Sequence, residues 1–165
     1  MPPLPIDADG RFSGYASLFG RLDDGGDIVM PGAFAKSLGR GREVRMLFQH
    51  DPKEPVGVWE RLVEDNTGLY AEGRLVAGVP RAEALRRLID AGAIDGLSIG
   101  FRTVRGSREP GSGHRRLWQV DLWEVSIVSF PMLDGARIAP PPGSPASDGR
   151  LLRSLDAAIQ ALRQP

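Results

Sequence analysis

The chain has no cysteine and only two histidines among its 165 residues. The first absence excludes a disulfide framework, thiolate catalysis and cysteine-bound metal. The second makes any search for a general base short. An excess of one charge is also missing. Twenty-one Lys and Arg balance twenty-one Asp and Glu, so no net field marks a nucleic-acid or anionic-membrane partner. No apolar run approaches the roughly 18 residues that a membrane span requires. The opening Met1-Pro2-Pro3-Leu4-Pro5 lacks the basic and apolar regions of a signal peptide. Phosphate loop, zinc-ligand spacing and dinucleotide fingerprint are all absent, so neither cofactor nor metal is expected. What is present is a chain of single-domain size, 41% hydrophobic and 25% charged. That composition is ordinary for a globular protein of the cytoplasm.

Periodicity divides the chain as follows. Residues 1–11 form a proline-rich lead. Phe12 to Gly20 alternates like a strand, and Ile28-Val29-Met30 is a short apolar run. Pro31 can start a helix to Leu38, with Gly39 as its stop. Val44 to His50 reads as a strand, followed by a turn at Asp51-Pro52-Lys53-Glu54-Pro55. Val56–Glu64 and Leu69–Val76 flank Asp65-Asn66-Thr67-Gly68 as a hairpin. Pro80 to Ala91 reads as a helix buried through Ala84, Leu85, Leu88 and Ile89. Ile94–Val104 and Leu117–Phe130 read as strands, separated by a mobile Gly/Ser/Arg loop from Arg105 to Arg116. A Pro/Gly/Ser linker over 139–149 leads to an amphipathic helix over 150–165, with Leu151, Leu152, Leu155, Ile159 and Leu162 as its stripe. The expected architecture is mainly β with helices (α+β). It is a closed or nearly closed antiparallel barrel of about seven strands spanning 12–138, with helical insertions.

Chemistry concentrates in Gly96-Leu97-Ser98-Ile99-Gly100-Phe101. On a strand, Ser98 shares its face with Gly96 and Gly100 while Leu97 and Ile99 enter the core. The two glycines leave room for a substrate chain against the hydroxyl. A serine becomes a nucleophile only with a base within hydrogen-bond reach and a group to orient that base. His50, at the end of a strand-like run, is the candidate base. Asp51 beside it points to the opposite face unless the chain turns at once. Glu124, a lone charge in Leu122-Trp123-Glu124-Val125-Ser126-Ile127, can orient a histidine from another strand. Alternatively Ser98 is a small residue in a crowded strand, His50 a surface side chain, and Glu124 an exterior charge or the partner of an arginine.

The ordered set Gly14-Tyr15-Ala16-Ser17, Pro31-Gly32-Ala33-Phe34, Gln49-His50-Asp51, Pro55-Val56-Gly57, Gly96 to Phe101, and Leu122 to Val128 ahead of Pro131 and Ala136 resembles the prohead (capsid maturation) proteases of tailed phages. The resemblance covers roughly residues 12–138. It implies a barrel similar to that of herpesvirus assembly proteases, and a serine endopeptidase packaged inside the procapsid in the host bacterial cytoplasm. Such an enzyme removes scaffold, or the N-terminal scaffolding segment of the major capsid protein, and often part of itself. It also leaves open a homodimer or higher oligomer there. By resemblance Ser98 is the nucleophile and His50 the general base, with Glu124 assigned as the orienting carboxylate. Herpesvirus proteases use a second histidine in that third place, and the only other one here, His114, falls in the expected loop. The competing expectation is a barrel without chemistry, serving capsid assembly or scaffold binding, in which Ser98 and His50 lie far apart.

Overall fold

The computed structural model describes residues 5–139. One mixed sheet of eight strands curls around a core (β1, Arg11–Leu18; β2, Asp27–Val29; β3, Arg45–Phe48; β4, Asp51–Glu64; β5, Gly68–Leu75; β6, Gly96–Arg108; β7, Arg115–Val128; β8, Ile138–Ala139). Two helices, α1 (Ala35–Gly39) and α2 (Pro80–Asp90), complete it. The long β6–β7 hairpin is the spine. The other edge of β7 receives two strands in parallel, β2 along Arg115–Leu117 and β3 along Glu124–Ile127. From β3 the sheet continues antiparallel through β4, β5 and β1 to β8. Leu97, Leu122, Val125 and Ile127 of the spine are fully buried in one core with Met46 of β3, Val56 of β4, and Leu69 and Ala71 of β5. Ile6, in the proline-rich lead, belongs to the same core.

The barrel is open, not closed. Between β8 and β6 there is one bridge, Gly96 with Arg137. It is flanked by hydrogen bonds from Leu97 N–H to Ala136 O and from Ile138 N–H to Asp95 O, each 2.8 Å. Among the described residues β8 contributes only two, Ile138 and Ala139. Beyond Leu97, β6 faces β1 across a seam. There a cavity of about 130 Å³ is lined by Leu18, Val29, Leu97, Ser98, Phe101 and Met132, among others.

Several elements differ from the expected ones for local reasons. Asp51–Pro55 is the start of β4 and not a turn, because the chain reverses earlier, at Gln49-His50. The ladder absorbs Pro52 and Pro55 through two register shifts. The segment Arg105–Arg116 is mostly hairpin. β6 runs to Arg108 and β7 starts at Arg115, with Arg116 paired to Glu109 and the turn tied by Glu109 N–H to His114 O at 2.8 Å. α1 begins only at Ala35, with Phe34 buried ahead of it and its N–H donated to Glu64 Oε1. α2 buries Ala82, Leu85 and Ile89, whereas Leu88 stays 42% exposed and Ala84 is exposed. The buried stripe is therefore narrower than the apolar pattern indicates. The expected linker and last helix lie outside the described residues.

Candidate active site

His50 does not end a strand. Phe48 pairs with Asp51 across a two-residue reversal in which Gln49 and His50 have φ of 54° and 59°. Two positive φ values are the signature of a type I′ hairpin, which ordinarily carries Asn or Gly. For side chains with a Cβ, this conformation costs roughly 1–2 kcal/mol per residue. The surroundings over-determine it, as strained backbone at a functional site requires. Gln49 N–H donates to Ile127 O at 3.0 Å. The Gln49 amide bonds Ser129 twice, donating to its Oγ at 2.7 Å and accepting its N–H at 3.3 Å. His50 N–H donates to Ser126 Oγ at 3.2 Å. Every tie runs to β7 or the residue just past it.

The reversal sets the His50 ring beside β7, where Nδ1 lies 2.5 Å from Glu124 Oε1. An ionised carboxylate only accepts, so Nδ1 is the donor, and in the neutral imidazole Nε2 keeps a free lone pair. Ser126 Oγ–H donates to the other carboxylate oxygen, Oε2, at 2.5 Å. Glu124 side-chain exposure is 13%, against 41% for His50. The hydrogen bond from His50 to Glu124 raises the His50 pKa above its ordinary value, opposed by partial burial and assisted by the carboxylate charge. Protonated His50 is thereby stabilised, and the ring titrates above its usual range.

Ser98 lies on the neighbouring strand. The β6–β7 register pairs Ser98 with Ser126 and Gly100 with Glu124. Directly opposed residues share a face with Cβ atoms about 5 Å apart. Ser98 therefore stands beside the serine that binds both Glu124 and the His50 main chain. Leu97 is fully buried and Ile99 packs on the core, as strand alternation requires. Ser98 itself is 4% exposed, and among the described residues its hydroxyl is not hydrogen-bonded to His50. His114 sits in the distant β6–β7 turn, while Asp51 is occupied as a cap for Lys53 N–H at 2.8 Å.

The two glycines around Ser98 have a different purpose from the one the sequence suggests. A Cβ on Gly100 would collide with Glu124 Oε1, and one on Gly96 would come within 2.6 Å of Val128 O and 2.8 Å of the Pro131 ring. Their missing side chains make room for the protein's own carboxylate and proline, not for substrate. Sequence reasoning also missed Gln49, Ser126 and Ser129. Ser126 left one trace, a polar residue at i+2 from Glu124 on an otherwise apolar strand; a Gln-His pair without Asn or Gly gave no sign of an I′ turn.

Chemically, this is a carboxylate–imidazole pair in which, among the described residues, one ring nitrogen has no hydrogen-bond partner; the carboxylate's strand, β7, pairs with the strand that carries Ser98. Comparisons with known proteins bear on the family and the fold. A family model described as the caudovirus prohead serine protease matches residues 5–144. The prohead protease of Enterobacteria phage HK97 is 38% identical over 133 residues, covering 79% of this chain and 59% of that protein. The prohead protease of Escherichia phage T5 is 27% identical over 124 residues, covering 73% and 58% respectively. The chain thus spans less than two thirds of either relative's length. Among solved structures, the bacteriophage T4 capsid assembly protease superposes with a TM-score of 0.64 at 15% identity, covering 79% of this chain and 90% of that one. The KSHV protease bound to a hexapeptide phosphonate inhibitor gives 0.56 at 13% identity, covering 89% and 76%. These last two likenesses establish the fold, a curled sheet shared with herpesvirus proteases. By the extent of the family match, this chain belongs to the caudovirus prohead serine proteases.

Proposed function

We propose that the chain is a serine endopeptidase of procapsid maturation, with Ser98 as nucleophile, His50 as general base and Glu124 as the carboxylate that orients it. The observation that carries this reading is the 2.5 Å contact from His50 Nδ1 to Glu124 Oε1, which leaves Nε2 as the ring's acceptor, with Glu124 on the strand paired to the one bearing Ser98. In the reaction, Nε2 takes the Ser98 proton as Oγ attacks a peptide carbonyl. The imidazolium then protonates the leaving amine, and water, deprotonated by the same nitrogen, releases the acyl group. The chemistry requires Ser98 and His50 to come within hydrogen-bond reach, and such contacts often tighten only on substrate binding.

The substrate that fits a member of this family is scaffold, or the N-terminal scaffolding segment of the major capsid protein, cut inside the procapsid within the host cell. Self-cleavage in the proline-rich stretch 140–149 is part of the proposal. The test is processing by Ser98→Ala. Loss of the nucleophile typically costs on the order of a millionfold in turnover, so capsid protein and scaffold should stay uncut while the variant folds normally. A serine-directed fluorophosphonate should label wild type at Ser98 and leave the variant unlabelled. Normal processing by Ser98→Ala would refute the assignment. A folded wild type that neither labels nor cleaves would favour the assembly module without chemistry.

A further inference from the structure

The Ser126 side chain is fully buried, yet its hydroxyl is used in both directions. It accepts the His50 N–H at 3.2 Å and donates to Glu124 Oε2 at 2.5 Å. These roles cannot be exchanged. A main-chain N–H only donates and an ionised carboxylate only accepts, so the hydroxyl hydrogen must point to Glu124 and a lone pair to His50. Together with the contact from His50 Nδ1 to Glu124 Oε1, the three residues close a ring of four groups: His50 main chain, Ser126 hydroxyl, Glu124 carboxylate, His50 imidazole. Ser126 is also the register partner of Ser98. One residue therefore fixes the strained turn, the carboxylate and their placement relative to the serine on β6.

We propose that Ser126 is a positioning residue of the protease site, its hydroxyl holding the Glu124 carboxylate and the His50 main chain in a single geometry beside Ser98. It touches neither substrate nor the reacting atoms. It acts through Glu124 and His50, and the role rests on the catalytic reading of those two residues. An apolar side chain at 126 could fill the space but could not both accept from the turn and donate to the carboxylate. Gln49 and Ser129 hold the other half of the same turn, so removing Ser126 loosens the reversal without abolishing it.

The experiment compares Ser126→Ala with Ser126→Cys, which keeps the side-chain shape in a slightly larger form but donates weakly. Both are made in the active chain and in the Glu124→Gln background, the folding of each variant being verified by thermal melting. The expected result is a 10–100-fold fall in kcat with little change in KM, on capsid-protein substrate. Because Ser126 acts through Glu124, the same substitution should cost under about threefold when Glu124 is already Gln. A second measurement does not depend on activity. In the Ser98→Ala protein, the His50 titration followed by NMR should move down toward the ordinary imidazole value when Ser126 is replaced, because the carboxylate is no longer held against the ring. Unchanged kcat in both folded variants, equal losses in both backgrounds, or a His50 titration that stays put or rises would overturn the role. If Ser126→Ala fails to fold, Ser126→Cys alone carries the same comparisons of kcat and titration. If wild type neither cleaves nor labels with fluorophosphonate, the protease reading has failed, and the NMR titration still decides whether Ser126 holds the pair.

Discussion

Replacing Glu124 by Gln removes one negative charge from the site while leaving an amide oxygen that can still accept from His50 Nδ1. Hydrogen bonds to a charged group contribute about 1.5–3 kcal/mol, but the His50 side chain is 41% exposed, so solvent screening reduces this to about 1 kcal/mol. Loss of that interaction with the protonated ring should lower the His50 pKa. A histidine can act as a base only when neutral. The His50 pKa in wild type is raised, chiefly by the hydrogen bond to Glu124. The acid limb of kcat/KM should therefore lie above about pH 6.5, the ordinary imidazole value, in wild type and move down in Glu124→Gln.

The height of the profile should change as well. With an amide in place of the carboxylate, nothing enforces Nδ1–H over the other tautomer, and the imidazolium formed in the transition state loses its counter-charge. Losses of up to about 10⁴ in kcat accompany this change in serine proteases. The assay is cleavage of capsid protein between about pH 5 and 9, a range that brackets histidine titration, with fluorophosphonate labelling rates over the same range. Stability gives an independent sign check. A raised imidazole pKa stabilises the fold fully below the unfolded value near 6.5, and that contribution disappears as pH rises through the folded value. In the Ser98→Ala background, Glu124→Gln should thus lower Tm more at about pH 5.5 than at about pH 8. An acid limb that stays in place, or a Tm difference larger at high pH, would refute the coupling of His50 to Glu124.

Further outcomes follow from the same geometry. Gly100→Ala should cost at least about 10²-fold in activity with little loss of fold, because the added methyl occupies the Glu124 carboxylate position; activity within about threefold of wild type would exclude that clash. Intact-mass measurement of wild type and Ser98→Ala should show shortening within 140–149 only in wild type, whereas identical C-termini would exclude self-cleavage there. Ile89→Ala should destabilise by about 2–5 kcal/mol, as truncation of a fully buried side chain does, while Leu88→Ala should cost under about 1 kcal/mol. Denaturant titration of the two variants distinguishes the narrow stripe observed on α2 from the wider one that apolar spacing suggests.

Much of the sheet was legible because strand signals are local. β1, β5, β6 and β7 alternate or run apolar along much of their length, and period-two patterning needs no tertiary knowledge. Closure was not legible. It depends on how many hydrogen bonds the two residues Ile138 and Ala139 make with strands that are distant in the chain. Ser98, His50 and Glu124 could be named individually from residue chemistry and family likeness. Their arrangement could not be, because it follows from the parallel docking of β3 on β7, a pairing with no local sequence mark.

The position of His50 is where local reading and physics part most clearly. A histidine ending a regular strand would be held by ladder hydrogen bonds alone, and its neighbour Asp51 would face away from it. Placing it second in an I′ turn costs backbone strain, yet it gives the ring a direction no strand residue has, back over β7 toward Glu124. That strain is tolerable because β7 supplies compensating bonds from Ile127, Ser126 and, just beyond it, Ser129. The strand that carries the carboxylate is thus also the strand that enforces the turn. A shift of β7 relative to β3 by one residue would expel Glu124 to the opposite face and release His50 in the same step. The pair is built to be present or absent as a unit, and substitutions that loosen the β3–β7 register should extinguish activity well before they unfold the chain.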